Sequence, residues 1–132
     1  MTTEADYFEG LISRFKHLNY WGNLGIKFDY LKEGYARVKL IVTDEVINNN
    51  STLHSGAIAS LKDVAISSTL RSLHSNPVTT VSLTTNFIAP AELGKTVYAT
   101  AKIVSSKKRI HYVESTVVDE GGRRKRKWST KR

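Results

Sequence analysis

Apolar positions along the chain switch between two periods. Tyr7, Phe8, Leu11, Ile12, Phe15 and Leu18 recur every three or four residues, which predicts an amphipathic helix over 4–18. Asn23-Leu24-Gly25 breaks that stripe. Two β-rich stretches follow, about 25–31 and 35–43, parted by Glu33-Gly34. In the second, Tyr35, Arg37, Lys39 and Ile41 alternate with Ala36, Val38, Leu40 and Val42, giving a strand with one apolar face. The polar run Asn48-Asn49-Asn50-Ser51-Thr52 turns the chain and offers helix-capping side chains. From His54 to about Leu73 the pattern is helical and apolar on most sides, with Ala57, Ile58, Leu61, Ala65 and Leu70, so a long buried helix is expected. Beyond Pro77 the pattern is β throughout. Strands are expected at about 78–88, 95–105, 109–118 and 123–130, with turns at Pro90 to Gly94 and at Glu120-Gly121-Gly122. Their spacing suits successive antiparallel hairpins. A helix, two strands, one buried helix and four strands make an α+β arrangement.

Length and composition narrow the class. With 132 residues, no internal repeat and no linker, the chain reads as a single domain over 1–132, with an N-terminal helix within 1–20 and a basic last strand and tail at 123–132. No apolar run is long enough to span a membrane, and MTTEADYFEG lacks the pattern of a secretory signal. A soluble protein of the cytoplasm is expected. There is no cysteine, which removes disulfides, thiolate nucleophiles and Cys-based zinc sites. His17, His54, His74 and His111 show no helical metal-pair spacing, and neither a metal nor another cofactor is expected. The formal net charge of +8 is uneven: the last ten residues hold seven of the 20 basic groups and no acidic one, leaving 13 basic against 12 acidic residues before them.

The segment Asn48 to Gly56, running on through Ala59-Ser60-Leu61-Lys62-Asp63, resembles the hotdog-fold acyl-CoA thioesterases of the phenylacetate-pathway (PaaI-like) type. Their pattern is N-x-x-G-x-x-H-G-G, followed by a helix with an acidic residue nine positions after the histidine. Here Asn48 lies six before His54, and Asp63 nine after it. Thr79 to Gly94 resembles the family's next strand and its P-A-x-x-G turn. The likeness covers roughly residues 20–130. It implies the hotdog fold, a curved antiparallel sheet wrapped around one central helix. It also implies hydrolysis of an acyl-CoA thioester. Two departures stand out: H-G-G is His54-Ser55-Gly56, and the glycine common between the fourth and fifth strands is Lys107.

The residues fit that chemistry. A helix beginning near His54 would aim the Ser55 and Gly56 amides at a carbonyl oxygen, because first-turn N–H groups lack intrahelical partners. Asp63 is the candidate carboxylate, either as nucleophile or as general base toward water. Nine residues of helix span about 13 Å, so Asp63 cannot reach a carbonyl held at its own helix N-terminus. A homodimer with sites shared across the interface is therefore expected, with assembly into a homotetramer left open. Asn48, His54 and Thr80 are assigned positioning roles. For each residue a plainer role stands beside the catalytic one: Asp63 as a surface carboxylate next to Lys62, His54 as a helix-start residue, Asn48 as a loop former, Thr80 as a strand residue.

The basic groups Lys107, Lys108, Arg109, Arg124 and Arg126 admit three readings: solvated charges, a grip on CoA phosphates, or nucleic-acid contact. The third is weakest, since Trp128 alone interrupts the basic run and no stacking platform accompanies it. Two rivals to the enzyme remain: a hotdog domain that binds acyl-CoA without turnover, and a nucleic-acid-binding domain led by its basic end.

Overall fold

The computed structural model describes residues 9–10, 19–73, 78–86, 89–119 and 127–131. A short helix α1 (Asn19–Leu24) leads into β1 (Lys27–Lys32) and β2 (Tyr35–Ile41). A single 3-10 turn (Asp44–Val46) and the polar loop precede the long helix α2 (Ser55–Arg71). Then come β3 (Thr84–Asn86), β4 (Thr96–Lys107), β5 (Ile110–Asp119) and β6 (Lys127–Lys131). The six strands form one antiparallel sheet in the order β1-β2-β4-β5-β6-β3, and α2 lies against its inner face.

Alternation in the strands sets that face. Ala36, Val38 and Leu40 of β2, Val97, Ala99 and Ala101 of β4, and Val113 and Val117 of β5 are all buried. Three alanines among them keep the sheet surface low, so a helix can pack closely. From α2, Ile58, Leu61, Val64, Ala65, Ile66 and Leu70 fill the space above. Ten of its 17 residues are buried, in keeping with the apolar circumference read from the sequence. Thr69 fastens the helix to β4 through a hydrogen bond to the Ala101 carbonyl. At the helix end, Ser72 Oγ accepts the Gly34 N–H at 2.8 Å, tying the β1–β2 turn to α2. Gly34 has φ of 81°, in the left-handed region where a side chain would be strained.

Two expectations need adjustment, and a third falls largely outside the described residues. The helix expected over 4–18 lies outside the described residues except for Glu9 and Gly10, which are helical. The strand expected over 78–88 is shorter: among the described residues only Thr84–Asn86 belong to the sheet. Thr79, Thr80 and Val81 have the β-branched composition of a strand but lie outside the ladders formed among the described residues, and pairing decides strand formation more than propensity does. The scheme of successive hairpins also fails at β3, which pairs with β6 at the far edge and not with β4. Residues 89–95 are instead engaged with the loop before α2. There Leu53 donates to the Ala91 carbonyl, and Thr52 bridges Glu92. That contact turns the chain toward β2, which then pairs with β4.

Candidate active site

The start of α2 is fixed from three sides. The Leu53 N–H donates to Ala91, in the P-A-x-x-G turn, at 2.8 Å. The His54 N–H donates to the Val46 carbonyl at 2.8 Å. The His54 side chain is the N-cap of the helix: its Nδ1 accepts the Gly56 N–H at 2.8 Å. In the neutral ring that acceptor role puts the proton on Nε2, which can then donate to a carbonyl oxygen. The same contact accounts for Gly56. A Cβ built there would lie 3.0 Å from His54 Nδ1, too close for the ring to stay in place. Position 55 carries no such constraint, and its serine is exposed.

This cap changes the expected donor pair. The Gly56 amide is occupied by the imidazole. The donors that α2 presents at its tip are therefore the Ser55 N–H, a first-turn amide with no intrahelical acceptor, and the His54 ring.

Asn48 organises the loop in front of the helix. Its Oδ1 accepts from the Asn50 N–H at 2.9 Å, and from both the N–H and the hydroxyl of Thr52 at 3.1 Å. The loop closes further through the Asn48 N–H to the Thr52 carbonyl. Ser51 completes the turn with φ of 61°. That is the left-handed region, and the N-x-x-G pattern places glycine at this position. The Asn48 side chain thus spends its carbonyl on local structure, and its amide nitrogen is what remains for a ligand.

Asp63 sits two and a half turns further along α2. The Thr80 hydroxyl donates to its Oδ1 at 2.8 Å, so the structure brings together two residues that the family resemblance had linked. Asp63 is half-buried and Thr80 exposed; the adjoining Val81 is 96% exposed. Gly56, Ala59, Ser60, Asp63 and Ser67 make up the less buried stripe of α2, and Tyr20 of α1 holds Ser60 at 2.7 Å. His54 and Asp63 stay about 13 Å apart along the helix.

Sequence reading missed Lys62. It is fully buried, and its Nζ makes no hydrogen bond. Loss of hydration pushes its ammonium down from 10.5 to about 8. Lysine beside a candidate aspartate had suggested a polar helix edge, but the two side chains diverge by about 100° around the helix. Lys107 ends β4, while Lys108 and Arg109 form the β4–β5 turn; all three are exposed. Arg124 and Arg126 lie outside the described residues. No cluster of three metal-binding side chains occurs among the described residues. No helix among them is long and apolar enough to cross a membrane.

An antiparallel sheet curled around one helix, with an Asp and a capped helix N-terminus as its polar features, is the hotdog arrangement of thioesterases. The family model of the thioesterase superfamily matches residues 50–125, and the chain belongs to that family. Among curated relatives, the acyl-coenzyme A thioesterase PaaI of Escherichia coli K12 is 29% identical over 97 residues, covering 74% of this chain and 69% of the relative. The solved structure of E. coli PaaI, from the phenylacetic acid degradation operon, superposes with a TM-score of 0.82 at 20% identity, over 97% of this chain and 91% of that one. Zebrafish thioesterase superfamily member 2 gives a TM-score of 0.83 at 13% identity, over 99% and 96% of the two chains.

Proposed function

We propose that the chain is an acyl-CoA thioesterase in which Asp63 of one subunit and the α2 N-terminus of a second act on the same thioester. The observation that carries this reading is the Thr80–Asp63 hydrogen bond. A hydroxyl donating to a carboxylate favours the anion and holds its rotamer. Asp63 then attacks the carbonyl, breaking the C–S bond and expelling CoA thiolate to leave a mixed anhydride that water hydrolyses, or takes a proton from a water that attacks the carbonyl and expels the thiolate directly. Both routes end in a carboxylic acid and free CoA. The Ser55 N–H and His54 Nε2–H stabilise the developing oxyanion, helped by the positive end of α2. The Asn48 amide orients the substrate.

The second subunit follows from the separation along the helix. Two α2 helices packed antiparallel on their small-residue stripes bring each Asp63 to the other's His54-Ser55-Gly56 corner. The exposure of Val81, beside Thr80, supports a covered interface there. Lys107, Lys108 and Arg109, with Arg124 and Arg126, lie within the charge class that grips CoA phosphates. Lack of cysteine and a CoA ester substrate fit a cytoplasmic, single-domain enzyme.

Thiol release from acyl-CoAs tests the chemistry. Asp63→Asn should lower kcat by about 10²–10⁴-fold, the range for a lost acid–base group or nucleophile. Full activity in that variant would remove Asp63 from the mechanism. Mixing Asp63→Asn chains with His54→Ala chains, each impaired on its own, unfolded and refolded together, tests the sharing. Random pairing gives one intact site in each mixed dimer, so about a quarter of wild-type activity should return. No recovery would place both groups in one subunit's site. Tight acyl-CoA binding with no thiol release would favour the non-catalytic binding protein.

A further inference from the structure

The β4–β5 hairpin outruns its neighbours. β2 pairs with β4 no further than Ala101, and β6 with β5 no further than Glu114. β4 and β5 go on pairing with each other as far as Lys107 and Ile110. Ile103 and Val113 still pack on the core. Beyond them, Val104 to Tyr112 form a two-stranded arm, with no third strand beside it among the described residues. At 3.4 Å per residue the arm extends roughly 14 Å past Ile103.

The arm is apolar and basic. Val104, Ile110 and Tyr112 are 62, 58 and 48% exposed. Lys107, Lys108 and Arg109 are exposed as well, and no acidic residue lies between Ile103 and Val113. Tyr112 precedes the buried Val113, so it lies on the outer face, and Ile110 shares that face two residues away. Lys107 is the cross-strand partner of Ile110 and joins them. The register slips between Ile103 and Ser105, leaving Val104 as the extra residue of a bulge. Neither packing nor turn chemistry calls for this composition. Side chains so exposed add little to the core, and the two-residue tip is Lys108-Arg109, where hairpins ordinarily use Asn or Gly. On the inner face Ser106 and His111 hydrogen-bond to each other.

We propose that the arm docks the protein on the surface of an anionic bilayer. Val104, Ile110 and Tyr112 enter the boundary between headgroups and acyl chains, while Lys107, Lys108 and Arg109 meet the anionic headgroups. The reach suffices, since interfacial elements bury their apolar side chains about 5–10 Å deep. Composition selects this occupant. A phosphate ligand, that of CoA included, engages the cations but leaves Val104 and Ile110 in water. Nucleic acid offers those aliphatic side chains no apolar surface either. A second copy in a two-fold contact would set the same cations against each other. An anionic bilayer satisfies both kinds of side chain at once. The formal net charge of +8 favours the approach, and β6 places Lys131 opposite Glu114, at the arm's base. Surface docking needs no spanning helix, and it stands apart from the thioesterase reading.

The test is cosedimentation of the full chain with vesicles of phosphatidylcholine alone, and with about a third phosphatidylserine, in about 0.1 M salt. Each cation at such a surface contributes about fivefold, so the mixed vesicles should bind roughly a hundredfold more tightly. Val104→Thr combined with Ile110→Thr keeps the β-branched shape of both strands. It should weaken binding to the mixed vesicles about tenfold or more, with the melting temperature unchanged. Hydrogen exchange on the unaltered chain gives a second readout: the amides from Val104 to Tyr112 should slow when mixed vesicles are added. Absent binding, binding that the paired threonines leave unaltered, or exchange unmoved at the arm would overturn the proposal. So would a change of oligomeric state in the threonine variant without lipid, which would make the arm a contact between copies.

Discussion

Replacing Lys62 with methionine should stabilise the protein and change how its stability depends on pH. The ammonium is fully buried and lacks a hydrogen-bond partner, and burial brings its pKa from 10.5 to about 8. In the unfolded chain the same lysine titrates near 10.5. Between pH 8 and 10.5 the unfolded state therefore holds a proton that the folded state has released, and stability rises with pH across that window. Below pH 8 both states are charged, and the fold bears the full cost of a desolvated cation. At about 1.4 kcal/mol per unit, the shift corresponds to about 3 kcal/mol at pH 7. Methionine has a similar length and no charge, so it should recover much of that amount. The assay is urea denaturation of both proteins at one fixed concentration from pH 6 to 10.5. At pH 7 the variant's midpoint should lie about 1–2 M higher. The gap should close as the pH approaches 10.5. An equal or lower midpoint at pH 7, or a gap that ignores pH, would refute the reasoning and mean that the assembled protein supplies a counter-charge to Lys62.

Other residues give sharper local outcomes. Ser51→Gly should raise stability by about 0.5–1 kcal/mol, since φ of 61° strains a side chain; a lower melting temperature would contradict this. His54→Ala removes the cap and the proposed carbonyl donor, so it should cost about 1 kcal/mol in chemical denaturation and lower kcat as well. An unaltered kcat would confine His54 to capping. Gly56→Ala should displace the His54 ring from its 3.0 Å contact, visible as a shifted imidazole resonance in NMR. Neutralising Lys107, Lys108 and Arg109 together should raise KM for acyl-CoA and flatten its salt dependence, with little change in kcat. An unchanged KM would leave those charges to solvent.

The sequence disclosed local features better than long-range ones. Period-two alternation from Tyr35 to Val42 located β2 and its buried face. The apolar circumference from Ala57 to Leu70 located α2. Both are properties of a single segment. The pairing of β3 with β6 is not, because it depends on where residues 89–95 are held, and that is set by Ala91 and Glu92 meeting Leu53 and Thr52. For the site, the spacing of His54 and Asp63 and the Thr80 position were legible only through a family pattern. The cap on Gly56 was readable in principle, since a histidine two before a glycine at a helix start can fold back on its amide. The burial of Lys62 was not, because a lysine next to an aspartate ordinarily marks a wet face. The register of β1 against β2 slips between Phe28 and Tyr30, and this too left no signal: Phe28-Asp29-Tyr30-Leu31 reads equally well as a regular strand.

The position of β3 has a consequence for biosynthesis. Thr80 lies just ahead of a strand that pairs with β6, the last strand described. During translation, α2 and Asp63 emerge early and can already collapse onto β1 and β2. The segment carrying Thr80 gains its anchorage only after β6 has left the ribosome. The Thr80–Asp63 contact is thus steadied late, and a chain cut short before Lys127 would keep α2 packed on β2, β4 and β5 while losing the strand that anchors the Thr80 segment.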